Sequence, residues 1–563
     1  ILSAGGTTAC VAAGRIAACD PSLKILILEA GPHTLNKAAH VQPYLYPSNI
    51  SPTSAAFTFN VANPSPSLNG RAPVVSCGHC VGGGSSVNLM AYTRAPASDF
   101  DDWGTDGWES KNLIPLMKKF ETYEVHPDRS THGYDGPIKV SSGGCKLGPC
   151  EEFIHVGKAY HKRQYADDTD DLETCNTYSP WEKYIDGTTG RRSDTAHHYV
   201  YNQAHNPNLQ VWAGKHVKRV IFEDKRAIGV EFTSDPVTCP DADSSYGTLR
   251  ASKLVVVSAG AFSSPAILER SGIGARAVLQ RCNVEQLVEL PGVGENFRGP
   301  LFVSCRALWR PDDDELKAMG PAFEARWEEF FKHRPDKAVA LFAMFSGHFG
   351  RSWYDLPPRN YLGAFYFTFY PTSVGSVHIE VGDNGKEALD ITTGFLDDAS
   401  DIVPLNFAYK KTREIFRRMP SYRGEAPVLH PHFPEGSAAA CGEAFGPVDM
   451  NAPDIIYTAE DDEAIDNFHR DNVQSTWHSL GTCAMKPEAD QGVVDARLNV
   501  YGVTNLKVAD MSIVPLNVGT NTYSIALLIG EKAAMIIAED LGIDCTECPS
   551  WWTNAPADLS TSG

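Results

Sequence analysis

The chain has 563 residues, of which 42% are hydrophobic, 10% aromatic and 21% charged, a composition typical of a globular protein with two or more packed domains. Lys and Arg number 49 against 69 Asp and Glu, and the formal net charge of -20 opposes binding to phosphate backbones and to anionic lipid. We therefore expect no nucleic acid and no membrane among its partners.

The first predicted unit, residues 1–31, reads as strand, tight turn, helix and strand. Gly6 lies in the turn, where it would let a pyrophosphate approach the start of the helix. Glu29 ends the second strand about 20 residues later, at the spacing of a ribose-binding acid. Ala4 and Ala9 stand where such a turn usually has its first and third glycines, and Ala4 must adopt a conformation that glycine adopts more readily. The spacing predicts a dinucleotide-binding fold, with a glycine turn of an unrelated α/β unit as the alternative.

A glycine-rich block follows at residues 78–103, with the sequence GHCVGGGSSVNLMAYTRAPASDFDDW. Its GGGSSVN run exposes backbone and short polar donors at one place, as a bound polar ring system requires. Cys77 and Cys80 have zinc-knuckle spacing, as do Cys545 and Cys548. Because the first pair lies in the glycine block, we expect free thiols and no metal. The fourteen cysteines are scattered, which favours a reducing compartment.

Two further blocks lie later in the chain. SAGAFSSPAILERSGIG, residues 258–274, reads as a strand leading into a helix, and TWHSLGTCAM, residues 476–485, is followed by a third strand and helix within 506–538. Between them, residues 311–458 mix aromatic strand candidates, such as 361–370, with charged helical patterns, such as 323–332, and predict a separate layer. The apolar stretch 525–537 contains Glu531 and Lys532, so no membrane span is expected.

These four blocks, in this order and at these separations, resemble the glucose-methanol-choline (GMC) flavoprotein oxidoreductases nearly from end to end. Within that family, NPSPSLNGR, SSVNLMAYTRAPASDFDDW, GRRSDTAH and IPLMKKFETYE especially resemble fungal and yeast alcohol (methanol) oxidases. The resemblance implies an α/β fold: a Rossmann-like FAD-binding domain assembled from discontinuous segments, with an inserted α+β substrate-binding domain whose mixed or antiparallel sheet is roofed by helices. We assign residues 1–130, 197–300 and 465–545 to the first domain, 131–196 and 301–464 to the second, and 546–563 to a C-terminal tail.

The resemblance also implies noncovalent FAD, because Val87 stands where some relatives carry a tethering His. By motif position, Gly6 and Glu29 hold the ADP half, the glycine block holds the isoalloxazine side, the Val217 backbone holds the adenine, and Asp510 and Thr522 hold the phosphates and the ribityl chain. The implied cofactor contacts are Gly5, Gly6, Thr7, Glu29, Gly82, Gly83, Gly84, Ser85, Ser86, Asn88, Val217, Asp510, Asn521 and Thr522.

By the same resemblance, His478 is the catalytic base and Asn521 is its active-site partner. Imidazole titrates in the range needed to accept the hydroxyl proton while the carbon-bound hydride passes to flavin N5, and Asn521 would orient the substrate oxygen. Trp477, Leu89 and Met90 would line the substrate pocket. The expected reaction converts a primary alcohol and O2 to an aldehyde and H2O2. Family members form homo-oligomers, often octamers, and work in peroxisomes or outside the cell, but no targeting signal is visible in this sequence.

Several positions depart from the family pattern. Leu89 replaces an aromatic residue and favours alcohols longer than methanol. After LPGVGENF the family continues Gln-Asp-His, whereas this chain reads Arg298, Gly299 and Pro300. The resemblance also implies that several dozen residues carried by alcohol oxidases before the Asp336 region are missing here. Val374 replaces an Arg. Three alternatives therefore stay open: a quinone-linked dehydrogenase, a hydroxynitrile lyase-like enzyme, and a flavin-free paralogue acting as a binding or assembly protein.

Overall fold

The computed structural model describes residues 1–144, 148–234, 246–299, 305–347, 356–357, 359–382 and 385–545. The predicted tail at 546–563, together with Pro300 and Cys548, lies outside the described residues. The α-helices are α1 Thr7–Cys19, α2 Ala38–Val41, α3 Ala97–Asp102, α4 Ser110–Phe120, α5 Gly148–Ala159, α6 Gly260–Arg270, α7 Arg276–Arg281, α8 Asp313–Met319, α9 Pro321–Arg326, α10 Ile402–Arg417, α11 Ala459–Asn472 and α12 Tyr523–Leu541. The β-strands are β1 Leu2–Ser3, β2 Ile25–Leu28, β3 Phe57–Val61, β4 Val74–Gly78, β5 Glu121–Tyr123, β6 Ile138–Val140, β7 Gln164–Tyr165, β8 Thr177–Ser179, β9 Leu209–Trp212, β10 Lys215–Glu223, β11 Arg226–Ser234, β12 Tyr246–Arg250, β13 Val255–Val257, β14 Ile273–Gly274, β15 Val288–Glu289, β16 Cys305–Trp309, β17 Ala340–Ser346, β18 Leu362–Thr368, β19 Ser376–Val381, β20 Glu387–Thr392 and β21 Leu506–Val508.

A parallel sheet with the strand order β21-β13-β1-β2-β9 forms the centre of the first unit. The interior strand β13 consists of three buried valines, as expected for a strand covered on both faces. The strands come from both ends and the middle of the chain, so the predicted assembly of one dinucleotide-binding-type sheet from distant segments is confirmed. The strand-turn-helix predictions hold for β1-α1 and β13-α6, whereas β21 and α12 are separated by the long connection 509–522.

Helices α1 and α12 pack side by side against each other. Small residues permit this close approach: a Cβ on Gly530 would lie 2.6 Å from the Val11 Cβ atom. Glu531, which interrupts the apolar character of α12, forms a buried ion pair with Arg15 of α1 at 2.7 Å. The charge in α12 therefore pairs with a neighbouring helix. Among the described helices, none combines the length and the apolar character needed to cross a membrane.

A mixed sheet with the order β18-β17-β16-β8-β7 forms the second unit. Its strands pair antiparallel except for β7 and β8, which are parallel, and helices α5 and α10 pack against it. The predicted strand at 361–370 is β18, and the predicted helix at 323–332 is α9 continued by a π-helical turn, Trp327–Phe331. The predicted α+β insertion with a helix-covered mixed sheet is thus confirmed.

The domain boundaries remain a proposal. The boundary at 196/197 falls inside the π-helical turn Ala196–Val200, and the boundary at 464/465 falls inside α11. The hairpin β19–β20 lies in the interval assigned to the substrate domain but packs on α6 and α7. Its Val377 and Ile391 share a core with Phe262 and Phe297.

A disulfide joins Cys19 to Cys545, so the expectation of a free thiol at Cys545 is wrong. The physical reason is tertiary, since α1 and α12 pack together and Cys19 and Cys545 lie at or just beyond their carboxyl ends. This bond also counts against a reducing compartment. Cys77 and Cys80 carry free thiols, and burial raises the pKa of Cys77 to about 12, as for a thiol packed as a hydrophobic group.

Candidate active site

The ends of β1 and β2 are joined through the carboxylate of Glu29. Its Oε2 accepts a hydrogen bond from the Gly5 N–H at 2.6 Å, and its Oε1 accepts one from the Gly31 N–H at 2.8 Å. The strand β10, which contains Val217, starts beside Glu29, because the Lys215 N–H donates to the Glu29 carbonyl oxygen at 2.8 Å. Glu29 and the start of the strand that contains Val217 thus lie side by side.

The turn before α1 has the strain that its sequence predicts. Ala4 has φ 120°, a conformation that L-residues rarely adopt. Glycine adopts it readily, so the missing first glycine imposes a local conformational cost.

Replacing Ala4 by glycine is expected to increase the free energy of unfolding by about 1 kcal/mol, because the strain at this turn is relieved. Denaturant unfolding of the FAD-loaded protein measures the change. Ala9→Gly is the matched control, since it lies inside α1 and should lose about 1 kcal/mol of stability. A less stable Ala4→Gly variant would show that the turn is not strained.

The glycine block packs directly on the first turn. The Gly82 N–H donates to the Gly5 carbonyl at 2.7 Å, and the Thr7 hydroxyl donates to the Gly82 carbonyl at 3.0 Å. A Cβ on Gly83 would lie 2.9 Å from the Gly6 Cα atom, and Gly82 and Gly83 both have positive φ. Glycine is therefore required here for contact between two backbones. The two motifs form one surface.

The two serines of the block use their hydroxyl protons within the protein. Ser85 donates to the Gly82 carbonyl at 2.7 Å and Ser86 to the Val81 carbonyl at 3.1 Å. Gly84 is exposed, and a Cβ there would meet no atom within 4 Å. The open face of the block is therefore backbone at Gly84.

His478 and Asn521 come together from distant segments. The His478 Nε2 atom lies 3.4 Å from the Asn521 Nδ2 atom. His478 Nδ1 is buried and has no hydrogen-bond partner among the described residues. Burial lowers the pKa of His478 to about 3, so its imidazole is neutral across the physiological range. The neutral ring is in the state required of a proton acceptor.

The three expected pocket residues lie in different surroundings. Trp477 is 37% exposed and has φ 66°, directly before the candidate base. Leu89 is buried in the core of the second unit with Ala91 and Trp181, whereas Met90, at φ 59°, is buried in the core of the first. The chain therefore passes from one unit to the other between residues 89 and 90.

Asp510 links two strand-helix units. Its Oδ2 accepts from the Gly260 N–H at 2.9 Å and from the Ser264 hydroxyl at 2.5 Å, and its Oδ1 accepts from the Ser512 N–H at 2.7 Å. Its carboxylate thus ties the end of β21 to the start of α6. Thr522 precedes α12 and makes no capping hydrogen bond through its side chain.

The altered segment lies directly beside the candidate base. Arg298 and Leu480 exchange backbone hydrogen bonds of 3.1 and 3.0 Å, and a Cβ on Gly299 would lie 3.2 Å from the His478 carbonyl oxygen. Pro300 lies outside the described residues. The departure from the family pattern therefore begins next to the site, while Val374 is exposed.

The sequence motifs contain three residues whose roles the sequence did not reveal: Thr93, Asp99 and Arg192. Thr93 contacts Asn521, and Asp99 accepts a hydrogen bond from the Gly519 N–H at 2.6 Å. Arg192 is buried, and its Nη1 donates to Asn88 Oδ1 at 2.7 Å. Burial lowers the pKa of Arg192 to about 10. In the sequence, the only indication of a role for these three residues was their position in the blocks SSVNLMAYTRAPASDFDDW and GRRSDTAH.

The residues present fit a bound dinucleotide. Helix α1 begins after Gly6 with no side-chain cap and no acidic residue in its first turn, which leaves its amino terminus for an anion. The Gly84 backbone is open, and His478 Nδ1 is a buried polar atom that lacks a partner among the described residues. Gly6, Glu29, Gly84 and Asn88 would hold the FAD.

Another cluster, formed by Glu425, His430 and Cys441, brings three potential metal ligands within 4.8 Å of one another. The Arg413 guanidinium binds both oxygens of Glu425, at 2.7 and 2.6 Å, and lies 3.3 Å from Cys441 Sγ. A cation already occupies this position, so we assign no metal to it.

Two family models, both described as GMC oxidoreductase, match residues 1–299 and 371–530. The alcohol oxidase of Candida boidinii is 38% identical over 640 aligned residues, covering 97% of this chain and 96% of the relative. Alcohol oxidase 1 of Komagataella phaffii is 38% identical over 634, covering 96% and 95%. Both alignments exceed the 563 residues of the chain, so both relatives contain stretches that it lacks.

Solved structures show the same fold. Pyridoxine 4-oxidase from Mesorbium loti superposes with a TM-score of 0.73 at 23% identity, covering 95% of this chain and 98% of the other. A formate oxidase variant from Aspergillus oryzae superposes with a TM-score of 0.77 at 19% identity, covering 96% and 97%.

Proposed function

Because the chain belongs to the GMC oxidoreductase family, we propose that it is an FAD-dependent alcohol oxidase that converts a primary alcohol and O2 to an aldehyde and H2O2. The observation that carries this proposal is the pairing of His478 with Asn521 in a chain 38% identical to alcohol oxidases over nearly its whole length. When bound, FAD would supply the electron acceptor for the alcohol, with O2 as the final oxidant.

Two side chains, His478 and Asn521, act on the alcohol oxygen in different ways. The neutral His478 accepts the hydroxyl proton at Nε2, because that atom faces the Asn521 amide. Asn521 Nδ2 donates a hydrogen bond to the same oxygen and holds it in place while the carbon–hydrogen bond is broken. Burial lowers the pKa of His478. The same buried environment suits an uncharged alcohol.

The test is a visible absorption spectrum of the purified protein, repeated without oxygen after addition of each of a series of primary alcohols. Flavin bands that bleach with an alcohol and return with air, together with H2O2, support the proposal. Bands that no alcohol bleaches indicate a lyase, and bleached bands that air does not restore indicate a quinone acceptor. A colourless protein that does not take up added FAD indicates a flavin-free paralogue.

We further propose that the preferred alcohol is longer than methanol, because Leu89 provides less bulk than an aromatic ring at this position. Leu89→Phe is expected to lower kcat/KM for 1-butanol relative to methanol by about 10-fold. Steady-state rates across a chain-length series check this, with Leu89→Ile as a control of similar volume. If a stable Leu89→Phe variant had the same preference for alcohol chain length as the wild type, Leu89 would not line the substrate pocket.

We also propose that the protein forms a homo-oligomer, with an octamer as the candidate assembly. This proposal is supported by Phe445 and Ile456, because these large apolar side chains are almost fully exposed in the single chain. Light scattering coupled to size-exclusion chromatography measures the subunit number, and a monomer at micromolar concentration contradicts the proposal.

A further inference from the structure

The hydroxyl of Thr93 lies at the border of the two units and makes three hydrogen bonds. It accepts one from the Asn521 backbone N–H at 3.0 Å and one from the Thr520 hydroxyl at 2.8 Å. It donates one to the Asn521 side-chain oxygen Oδ1 at 3.2 Å. All three bonds are buried.

A threonine hydroxyl has one proton and two lone pairs. The Asn521 backbone N–H fills one lone pair of Thr93 Oγ1. The Thr520 hydroxyl has a single proton and two acceptors within reach, Thr93 Oγ1 at 2.8 Å and the Asn521 carbonyl oxygen at 3.1 Å. When that proton lies on Thr93, the Thr93 proton is directed to Asn521 Oδ1, and the amide Nδ2 lies on the side of His478.

We propose that Thr93 is a positioning residue that holds the Asn521 amide with Nδ2 toward His478 Nε2 and the oxygen of the bound alcohol. This inference rests on the proposed function. The amide Nδ2 carries only donors, so the His478 Nε2 atom that faces it must present its lone pair. The ring proton then lies on Nδ1, and Nε2 is the atom that accepts the proton of the alcohol.

The backbone on both sides of Thr93 is anchored. The Tyr92 carbonyl accepts from Trp181 Nε1 at 2.7 Å, and the Tyr92 N–H donates to the Glu182 carbonyl at 2.9 Å. The Arg94 N–H donates to Asp170 Oδ1 at 3.0 Å. These partners are buried, so Thr93 is presented to Asn521 from a rigid support.

The test compares Thr93→Val, which keeps the shape and removes the hydroxyl, with Thr93→Ser, which keeps the hydroxyl. Each FAD-loaded variant is mixed anaerobically with a primary alcohol that reduces the wild type, and the rate constant for flavin bleaching is measured at saturation. Thr93→Val is expected to be about 10- to 100-fold slower than the wild type, and Thr93→Ser within about 3-fold of it. Thr93→Ala serves in place of Thr93→Val if the latter does not fold.

A role in packing alone is separated by repeating the comparison in an Asn521→Ala background. There Thr93→Val is expected to add less than about 2-fold, because the group that it positions is gone. An equal loss in both backgrounds, or a Thr93→Ser variant as slow as Thr93→Val, overturns the inference while leaving the proposed function standing. A wild type that no alcohol reduces overturns both.

Discussion

Replacing His478 by alanine is expected to lower the rate constant for alcohol-dependent flavin reduction about 10²- to 10⁴-fold, the contribution of a general base, while FAD stays bound. The variant loses the Nε2 acceptor that faces Asn521. Anaerobic stopped-flow measurement of flavin bleaching gives the rate constant, and the visible spectrum reports FAD content.

The pH dependence of the wild type follows from the same residue. Burial lowers the pKa of His478 to about 3, and a base works in its unprotonated form, so flavin reduction should stay constant from pH 8 down to about pH 5 and fall only as the pH approaches that pKa. An imidazole of ordinary pKa would already lose activity below about pH 6.5. A fall in rate centred near pH 6.5 would show that His478 titrates normally in the loaded enzyme.

His469 provides the matched control. Burial also lowers its pKa to about 3, but its ring nitrogens contact Tyr366 and Asn406, outside the candidate site. His469→Gln is expected to affect stability and to leave the reduction rate within about 3-fold of the wild type, as expected for a residue that touches no reacting atom. If His478→Ala were no slower than His469→Gln, another group would have to be the base.

Replacing Lys337 by methionine is expected to destabilise the protein by about 3–5 kcal/mol, because it leaves the buried carboxylate of Asp99 without its cation. Lys337 Nζ contacts Asp99 Oδ1 directly and lies 3.4 Å from Asp102 Oδ2. Both Lys337 and Asp99 are almost completely inaccessible to solvent. Thermal inactivation and denaturant unfolding should both shift to milder conditions.

The same substitution should loosen the loop that precedes Asn521. Asp99 Oδ2 accepts from the Gly519 N–H, and Tyr370 donates to Asp99 from the second unit. The double variant Lys337→Met with Asp99→Asn removes both charges and should recover at least half of the lost stability. A double variant as unstable as Lys337→Met alone would show that the loss arises from packing of the methionine.

Some of the site could be predicted from sequence because it is encoded by local spacing. The turn at Gly6, the strained Ala4 and the acidic residue at Glu29 follow from a short stretch of chain in which strand, turn and helix lie next to one another. The structure confirms the unusual φ of Ala4, and it shows that Glu29 contacts the turn. The long motifs led to the family assignment, and the family assignment led to the expected catalytic roles of His478 and Asn521.

Other features required the folded chain. Position 83 requires glycine because the backbone of Gly6 on the first turn lies against it. The disulfide between Cys19 and Cys545 joins residues that are 526 positions apart in the sequence. Neither partner could be identified from local pattern, because the contacts arise only when α1, α12 and the glycine block pack together.

The sequence by itself therefore determined the fold class and the family, and it predicted the residues of the candidate site. The tertiary structure decided which groups act on one another: Thr93 on Asn521, Asp99 on Gly519 and Lys337, and Asn521 on His478. The physical reason is that spacing along a chain encodes hydrogen bonds and turns within a few residues. Burial, pKa shifts and the direction of a side-chain amide depend on neighbours brought in from hundreds of residues away.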